Sequence, residues 1–214
     1  MLKKNIRART DEAKTEKKRR ILNAAREMFL DKGYAGTKIK TIADLAGVST
    51  GTFYLYYKNK LEVYKALQEE GIDILSSMID EAIEQKGLNC FERLSRIAEK
   101  YLEFYRRYGE YFEILAILSA LPKELRETDS EISKTVNKKI FGLLKKIESV
   151  LAEGIRKKEL ARTDTWKATN VFWSMLDGLI LLSERQNIEN ITGANLEDMT
   201  RHALMMVFKG IAAK

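Results

Sequence analysis

Hydroxyl and lysine side chains are concentrated in residues 37–60, a segment that contains a single carboxylate, Asp44. The segment has four lysines and four threonines. Lysine ammonium groups neutralise phosphates, and small hydroxyl side chains form hydrogen bonds with phosphates or with the edges of bases. The chemistry available here is therefore recognition of a polyanion by charge and hydrogen bonding.

Side chains that commonly catalyse reactions or bind metals are scarce in the chain. It has one cysteine, Cys90, and one histidine, His202, so there is no histidine cluster for a metal and no recognisable nucleophile constellation. We expect Cys90 to be a small core residue, and a lone cysteine suits a reducing compartment. No glycine-rich loop follows a strand pattern, which gives nucleotide sites no support. The sequence predicts no enzyme, no catalytic residues, no metal and no cofactor.

Short helices punctuated by glycine and hydroxyl residues must position the polar segment. The pattern predicts three helices, at about residues 16–32, 38–46 and 50–56. Their predicted ends and N-caps are Gly33, Thr37, Gly47 and Ser49. Two helices joined by a tight turn that contains glycine form a helix-turn-helix layout. The third helix begins with small polar residues, which lets its first turn enter a major groove.

Positive charge is confined to the first quarter of the chain. The net charge is +7, yet residues 1–60 contain 15 basic and 6 acidic residues, a net of +9, and the remaining residues carry −2. A localised positive field attracts a polyanion because neutralising phosphates releases condensed counterions. Charge alone leaves a solvated basic tail open as the alternative. Residues 1–15 lack an apolar stripe, so we expect a flexible basic arm there.

Beyond residue 60, apolar residues recur every three or four positions, which predicts one helix after another. The only proline, Pro122, supports this prediction because proline breaks helix interiors. The predicted fold class is all-α, with an N-terminal three-helix head and a C-terminal helical bundle. The most apolar runs, residues 114–121 and 171–182, are far shorter than the ~20 residues that a membrane span needs. Residues 1–20 lack the apolar stretch of a secretory signal, so we expect a cytoplasmic protein without a membrane partner.

The segment KIKTIADLAGVSTGTFYLYYKNK, with the apolar positions and the Gly33–Tyr34 break before it, resembles the DNA-binding head of the TetR family of bacterial transcriptional repressors, of the TetR/AcrR-like kind. The resemblance covers roughly fifty residues and implies double-stranded DNA, a partly palindromic operator, as a partner. The candidate DNA-binding residues are Thr37, Lys38, Ser49, Thr50, Gly51, Thr52, Tyr54, Tyr56, Lys58 and Lys60. As alternatives, Tyr54 and Tyr56 are surface aromatics and the lysines are ordinary solvated side chains.

The resemblance also implies a division of the chain into an arm (residues 1–15), a DNA-binding domain (residues 16–62) and a ligand-binding and dimerisation domain (residues 63–214). The helix predicted over residues 166–185 is apolar on more than one face, and the last helix adds an apolar stripe with small residues, which predicts a homodimer with a four-helix interface. The candidate interface residues are Trp173, Leu176, Leu179, Ile180, Met199, Ala203, Met206, Val207 and Gly210. The alternative is that these stripes are only intramolecular core.

Repressors of this family release DNA when a small molecule enters the body, so the resemblance implies such an effector here. The candidate lining residues are Tyr101, Phe104, Tyr105, Tyr108, Phe112, Phe141, Phe172 and Met175. Their aromatic and thioether character suggests a largely apolar ligand, such as a fatty acyl derivative, an aromatic compound or a lipophilic drug-like molecule. The same stripe is also what an ordinary helical core would show. A scaffold that touches anionic lipid through its basic arm would explain the charge distribution but not the motif.

Overall fold

The computed structural model describes residues 2–116, 130–185, 191 and 193–212. Within these ranges the chain forms helices and no strand, apart from one isolated bridge between Leu160 and Ala212. The helices are α1 (Leu2–Gly36), α2 (Ile39–Leu45), α3 (Thr50–Tyr56), α4 (Lys60–Glu84), α5 (Cys90–Arg107), α6 (Gly109–Ala116), α7 (Glu131–Arg156), α8 (Thr165–Ser183) and α9 (Leu196–Ile211). The all-α prediction is confirmed. None of these helices is long and apolar enough to cross a membrane.

Helix α1 begins at Leu2 rather than near Glu16, so the segment predicted as a flexible arm is helical. Residues 2–32 contain neither glycine nor proline, and local charge pairs such as Arg19 with Glu16, 2.8 Å apart, support the helix. Residues 11–20 are all exposed, and Ile21, which follows them, is fully buried. Apolar periodicity therefore marks where α1 begins to pack, and helix propensity alone extends it towards the N-terminus.

Gly33 is a kink in α1, whereas the sequence predicted a helix end there. Its φ of 65° lies in the left-handed region that glycine adopts without strain, and helical backbone resumes as far as Gly36. The kink turns the last residues of α1 towards the start of α2.

The described chain divides into two compact units. Unit 1 comprises Met1–Gly71 and Gly109–Asn137, and unit 2 comprises Ile72–Tyr108 and Lys138–Lys214. This division differs from the predicted boundary after residue 62 because α6 packs in unit 1. The Arg26 Nη1 atom of α1 donates a hydrogen bond to the Tyr111 hydroxyl of α6 at 2.7 Å, and the Tyr64 hydroxyl of α4 donates to the Ile114 carbonyl at 2.7 Å.

An aromatic cluster forms the centre of unit 1. Phe29 and Tyr64 are 1% and 0% exposed, with ring centroids 5.2 Å apart in an edge-to-face arrangement. Tyr34 stacks on Phe29 at 5.7 Å and meets the edge of Tyr64 at 5.3 Å. The three rings connect the end of α1 to the first turns of α4, so the head has a rigid base.

Unit 2 is a helical bundle in which α5 packs closely on α7. A Cβ atom at Gly154 would lie 2.7 Å from the Cys90 Sγ atom, so the two helices meet without room for a methyl group. Cys90 is buried, and burial raises the pKa of its thiol to about 11, as expected for a core residue. Hydrogen bonds from Lys157 and Arg93 lower the pKa of Glu153 to about 2, and the bond from Arg93 connects the same two helices.

Candidate nucleic-acid interface

The turn between α2 and α3 has the local features that the sequence predicted. Gly47 has a φ of 64°, in the left-handed region, and follows the C-cap residue Ala46. The Ser49 side chain accepts a hydrogen bond from the Thr52 N–H at 3.0 Å, so Ser49 is the N-cap of α3. A helix of seven residues, a tight turn and a second helix of seven residues therefore follow one another in unit 1.

Helix α3 is fixed to the core by one face and exposed on the other. Phe53 and Tyr57 are 0% and 4% exposed, with ring centroids 5.9 Å apart. The opposite face consists of exposed residues: Thr50, Gly51, Tyr54 and Leu55. This arrangement leaves small and polar groups free on the first turn, where a helix N-terminus also favours an anion.

Leu55 is a candidate contact that the sequence analysis did not include. Its side chain is 81% exposed, on the same face of α3 as Gly51 and Tyr54. An exposed leucine on this face can contact the methyl group of thymine, an apolar feature of the major groove. The signal was present in the sequence, because Leu55 lies four residues after Gly51 and outside the Phe53–Tyr57 spacing.

Two of the candidate lysines are exposed beside α2 and α3. Lys58 is 86% exposed, with its Nζ atom 4.0 Å from the Glu62 Oε1 atom, and Lys38 is exposed before α2. Tyr56 is half-buried, and Thr52 shares a hydrogen bond of 2.9 Å with the Ser49 hydroxyl. The structure thus leaves Lys38 and Lys58 accessible to phosphates and gives Ser49 and Thr52 a capping role.

Thr37 requires a correction. The sequence predicted it as the N-cap of α2 and as a phosphate contact, but the residue is only 2% exposed. Its single O–H lies between the carbonyl oxygens of Met28 and Gly33, which are 2.8 and 2.7 Å from Oγ1 and share the hydrogen bond. Lys38 occupies the N-cap position of α2 without a side-chain cap. The capping role was predicted because Thr37 stands just before a helix. In the structure its hydroxyl instead points inwards, to the carbonyls at the kink in α1.

Lys60 also has partners within the head. Its Nζ atom donates hydrogen bonds to the carbonyls of Tyr34 and Thr37 at 2.5 and 2.8 Å and lies 4.4 Å from the centroid of the Tyr34 ring. Partial burial lowers the pKa of the Lys60 ammonium. Its predicted phosphate contact therefore competes with three contacts that exist in the absence of DNA.

The predicted interface residues on α8 include two that point into their own unit. Leu176 and Ile180 are both 0% exposed, so they are core residues and cannot contact a partner. The Trp173 ring packs on the Tyr101 ring of α5 in a tilted arrangement, with centroids 4.6 Å apart and 50° between the ring planes. The exposed side of α8 carries different apolar residues: Val171 and Leu181 are 57% and 52% exposed.

The predicted interface residues of α9 are more accessible. Met206 is 64% exposed and Gly210 is exposed. The others are half-buried: Leu179 of α8 and Met199, Ala203 and Val207 of α9. An apolar surface therefore remains on α8 and α9, shifted by part of a helical turn from the predicted one.

Phe141 does not belong with the predicted ligand-lining residues. It is 52% exposed on the outer side of α7, with its ring 5.4 Å from the Trp166 ring. Phe141 is therefore not on the buried face of α7, which is formed by residues such as Leu143 and Ile147.

Three further lining candidates pack inside unit 2. Phe104 and Phe172 are 0% and 2% exposed, and Phe104 lies 5.8 Å from the Tyr108 ring. The hydroxyl of Tyr101 donates a hydrogen bond to Asp177, and burial raises the pKa of both groups. Tyr101, Phe104 and Phe172 therefore have the packing of core residues.

The remaining candidates differ in exposure. Tyr105, Tyr108 and Met175 are half-buried in unit 2, and the Tyr105 hydroxyl donates a hydrogen bond to Glu184. Phe112 is 6% exposed and belongs to unit 1.

A short helix with a small polar first turn, exposed on one side and anchored by Phe53 and Tyr57 on the other, defines a helix-turn-helix DNA-binding protein. Comparisons with known proteins agree with this class. Residues 21–67 match the family model described as bacterial regulatory proteins, tetR family. The chain is similar to the fatty acid metabolism regulator protein of Bacillus subtilis (strain 168), at 31% identity over 147 residues, which covers 69% of this chain and 72% of that protein.

Two further relatives extend the likeness over more of the chain. The HTH-type transcriptional regulator TtgR of Pseudomonas putida is 29% identical over 176 residues, which covers 80% of this chain and 82% of that protein. The crystal structure of the transcriptional regulator FadR from Bacillus subtilis in complex with stearoyl-CoA is similar with a TM-score of 0.69 and 27% identity, covering 90% of this chain and 98% of that chain. The chain belongs to the TetR family and is a DNA-binding transcriptional regulator.

Proposed function

We propose that the protein is a homodimeric repressor, without enzymatic activity, that binds a partly palindromic operator in the cytoplasm and leaves it when a long-chain acyl-coenzyme A binds. The observation that carries the DNA-binding part is the exposed face of α3, held to the core by buried Phe53 and Tyr57. Two such heads in a symmetric dimer read half-sites about one helical turn apart, which supplies the specificity that a single head lacks.

The exposed groups of the head divide into base-reading and phosphate-binding roles. Thr50, Gly51 and Leu55 approach base edges, because they lie on the outer face of α3. Tyr54 is 52% exposed, so its hydroxyl can reach a phosphate, and Lys38 and Lys58 add charge. Ser49 caps the start of α3 and shares a hydrogen bond with Thr52, and Tyr56 is half-buried, so these three residues support the helix.

A second copy of the chain covers the apolar surface of α8 and α9. Val171 and Leu181 of α8 and Met206 of α9 are large apolar residues that are more than half exposed. Gly178 and Gly210 are exposed on the same two helices, and small residues let helices approach closely. A two-fold axis through this surface gives a four-helix interface.

An acyl-coenzyme A is the effector class that the relatives support. The relative with 31% identity is a fatty acid metabolism regulator, and the similar FadR structure contains stearoyl-CoA. The half-buried side chains of Tyr105, Tyr108 and Met175 are the lining candidates in unit 2. An apolar chain binds such side chains through burial of its methylene groups.

Fluorescence anisotropy tests both parts of this proposal. The probe is labelled DNA from immediately upstream of the protein's own coding region, with unrelated DNA of equal length as the control, across a series of salt concentrations. Tighter, salt-sensitive binding to the upstream probe is expected. Equal binding to both probes contradicts an operator at that place, and no binding at low salt contradicts the DNA-binding role.

The effector is tested on the same complex. Stearoyl-CoA is added, with stearate and free coenzyme A as matched controls that each contain one half of the molecule. Release by stearoyl-CoA alone is the expected result. An anisotropy unchanged by stearoyl-CoA contradicts an acyl-coenzyme A effector and leaves the DNA-binding result intact.

A further inference from the structure

Helix α2 has little in its own sequence to hold it in place. It has seven residues, its N-cap residue Lys38 forms no side-chain cap, its first turn has no acid and its last turn has no base. A helix this short is not stable alone, so its position depends on contacts from elsewhere in the head. Because α3 follows α2 after a four-residue turn, the placement of α2 also sets the placement of α3.

A cation from α1 holds the C-terminal end of α2. The Arg20 Nη2 atom donates hydrogen bonds to the carbonyls of Ala46 and Gly47, the second at 3.3 Å. Carbonyls at a helix C-terminus lack partners within the helix and carry the negative end of its dipole, so a guanidinium is favourable there. A Cβ atom at Gly47 would clash with the same Nη2 atom, which shows how closely the arginine packs on the turn.

A cation from α4 holds the segment before α2. Two of the three N–H donors of Lys60 point at the Tyr34 and Thr37 carbonyls, and the ammonium lies over the Tyr34 ring. The Thr37 hydroxyl fastens the same segment to the Met28 and Gly33 carbonyls. The partners of Lys60 are 23 and 26 residues away in sequence, so the contact joins α4 to the end of α1.

We propose that Arg20 and Lys60 are positioning residues, which fix α3 by holding both ends of α2, and that neither is a phosphate ligand. The inference rests on the DNA-binding function, and it reassigns Lys60, which the sequence analysis placed among the DNA-binding residues. Both cations have backbone carbonyl partners before DNA arrives. These hydrogen bonds direct each cation towards the backbone of the head in the absence of DNA.

Two variants test the proposal, with two lysines as controls. Arg20→Lys keeps the charge but loses the fork that spans two carbonyls, and Lys60→Met keeps the length but loses the donors. Lys58→Met removes an exposed cation beside α3, and Lys86→Met removes an exposed cation of unit 2. The specific probe is DNA enriched from a random duplex pool by the unaltered protein, and the non-specific probe is the same sequence shuffled.

The measured quantities are the affinities for both probes across a salt series. For Arg20→Lys and Lys60→Met, we expect the ratio of specific to non-specific affinity to fall about tenfold, since each loses hydrogen bonds that orient α3. The slope of log affinity against log salt should stay unchanged in both. Lys58→Met should instead flatten the slope by ~2 for a dimer, because each lost phosphate contact contributes ~0.9. Lys86→Met should change neither quantity.

Amide hydrogen exchange in the free protein provides a readout independent of DNA. Exchange of residues 39–48 should become faster in Arg20→Lys and Lys60→Met and stay unchanged in Lys58→Met. A flattened slope with an unchanged affinity ratio in Lys60→Met would show a phosphate ligand and overturn the proposal for that residue. Equal losses for both probes with a lower melting temperature would show a merely structural role and also overturn it.

Discussion

Removing the Leu55 side chain should weaken operator binding only where a thymine methyl group faces it. The side chain is 81% exposed in the free protein, so nearly all of its apolar surface is available for burial on DNA. Burying a full leucine side chain stabilises by ~1.5–3 kcal/mol, and a partly buried contact with one methyl group should give ~1 kcal/mol. Two heads in a dimer then give ~2 kcal/mol, which corresponds to about a 30-fold loss of affinity for Leu55→Ala.

A double-mutant cycle between protein and DNA isolates this contact. Replacing each thymine of the selected operator by deoxyuridine, one symmetric pair at a time, deletes the methyl group and leaves the hydrogen-bonding edge unchanged. At the contacted position, Leu55→Ala and the uracil substitution should each weaken binding, and together they should weaken it no more than either alone. Additive losses at every thymine would refute the reasoning.

Leu45 provides the matched control for this cycle. It is an exposed leucine of the neighbouring helix, 47% accessible, but it lies beside Arg20 and the end of α2 and not on the outer face of α3. Leu45→Ala should therefore show no coupling to any thymine methyl group. Coupling as large as that of Leu55 would place α2 rather than α3 at the bases.

Three further outcomes follow from the packing of unit 2. Replacing Val171 and Leu181 with Glu should give a folded monomer in sedimentation, because both side chains are more than half exposed on α8; a dimer would place the interface elsewhere. Gly154→Ala should lower the free energy of unfolding by ~1–3 kcal/mol, since the new methyl group would lie 2.7 Å from the Cys90 Sγ atom and 2.8 Å from its Cβ atom; Cys90→Ala should relieve only part of this loss in the double variant, because the Cβ contact stays. Glu153→Gln should lower stability at neutral pH but by less as the pH falls from 4.5 towards 2, because the pKa of Glu153 is lowered to about 2 in the folded protein; a pH-independent difference in urea unfolding would contradict this.

Features set by neighbouring residues could be predicted from the sequence. Ser49 was predicted as an N-cap, and it accepts a hydrogen bond from the backbone N–H three residues further on, as Asn59 and Asn195 also do. Helix punctuation of this kind depends only on a side chain and the next turn of backbone. The helix-turn-helix layout was predictable for the same reason.

Features that depend on distant parts of the chain could not be predicted in the same way. Hydrophobicity marks α8 as buried on several sides, but it does not tell which side the chain itself covers. Leu176 is core and Val171 is exposed, although both are apolar residues of the same helix. Only the packing of α5 and α9 against α8 decides between intramolecular core and a surface for a second copy.

The same limit applies to the cations of the head, with a consequence for how strongly salt should weaken DNA binding. Fifteen basic residues lie in the first 60, and counting all of them as phosphate contacts overstates the salt dependence. Arg20 and Lys60 donate to carbonyls at helix ends, Arg19 pairs with Glu16, and Lys40 pairs with Asp44. A helix end presents its partial charge at all times, whereas a phosphate is present only in the complex. A cation within reach of both is therefore engaged before DNA binds, and the slope should follow the exposed, unengaged lysines rather than the net charge.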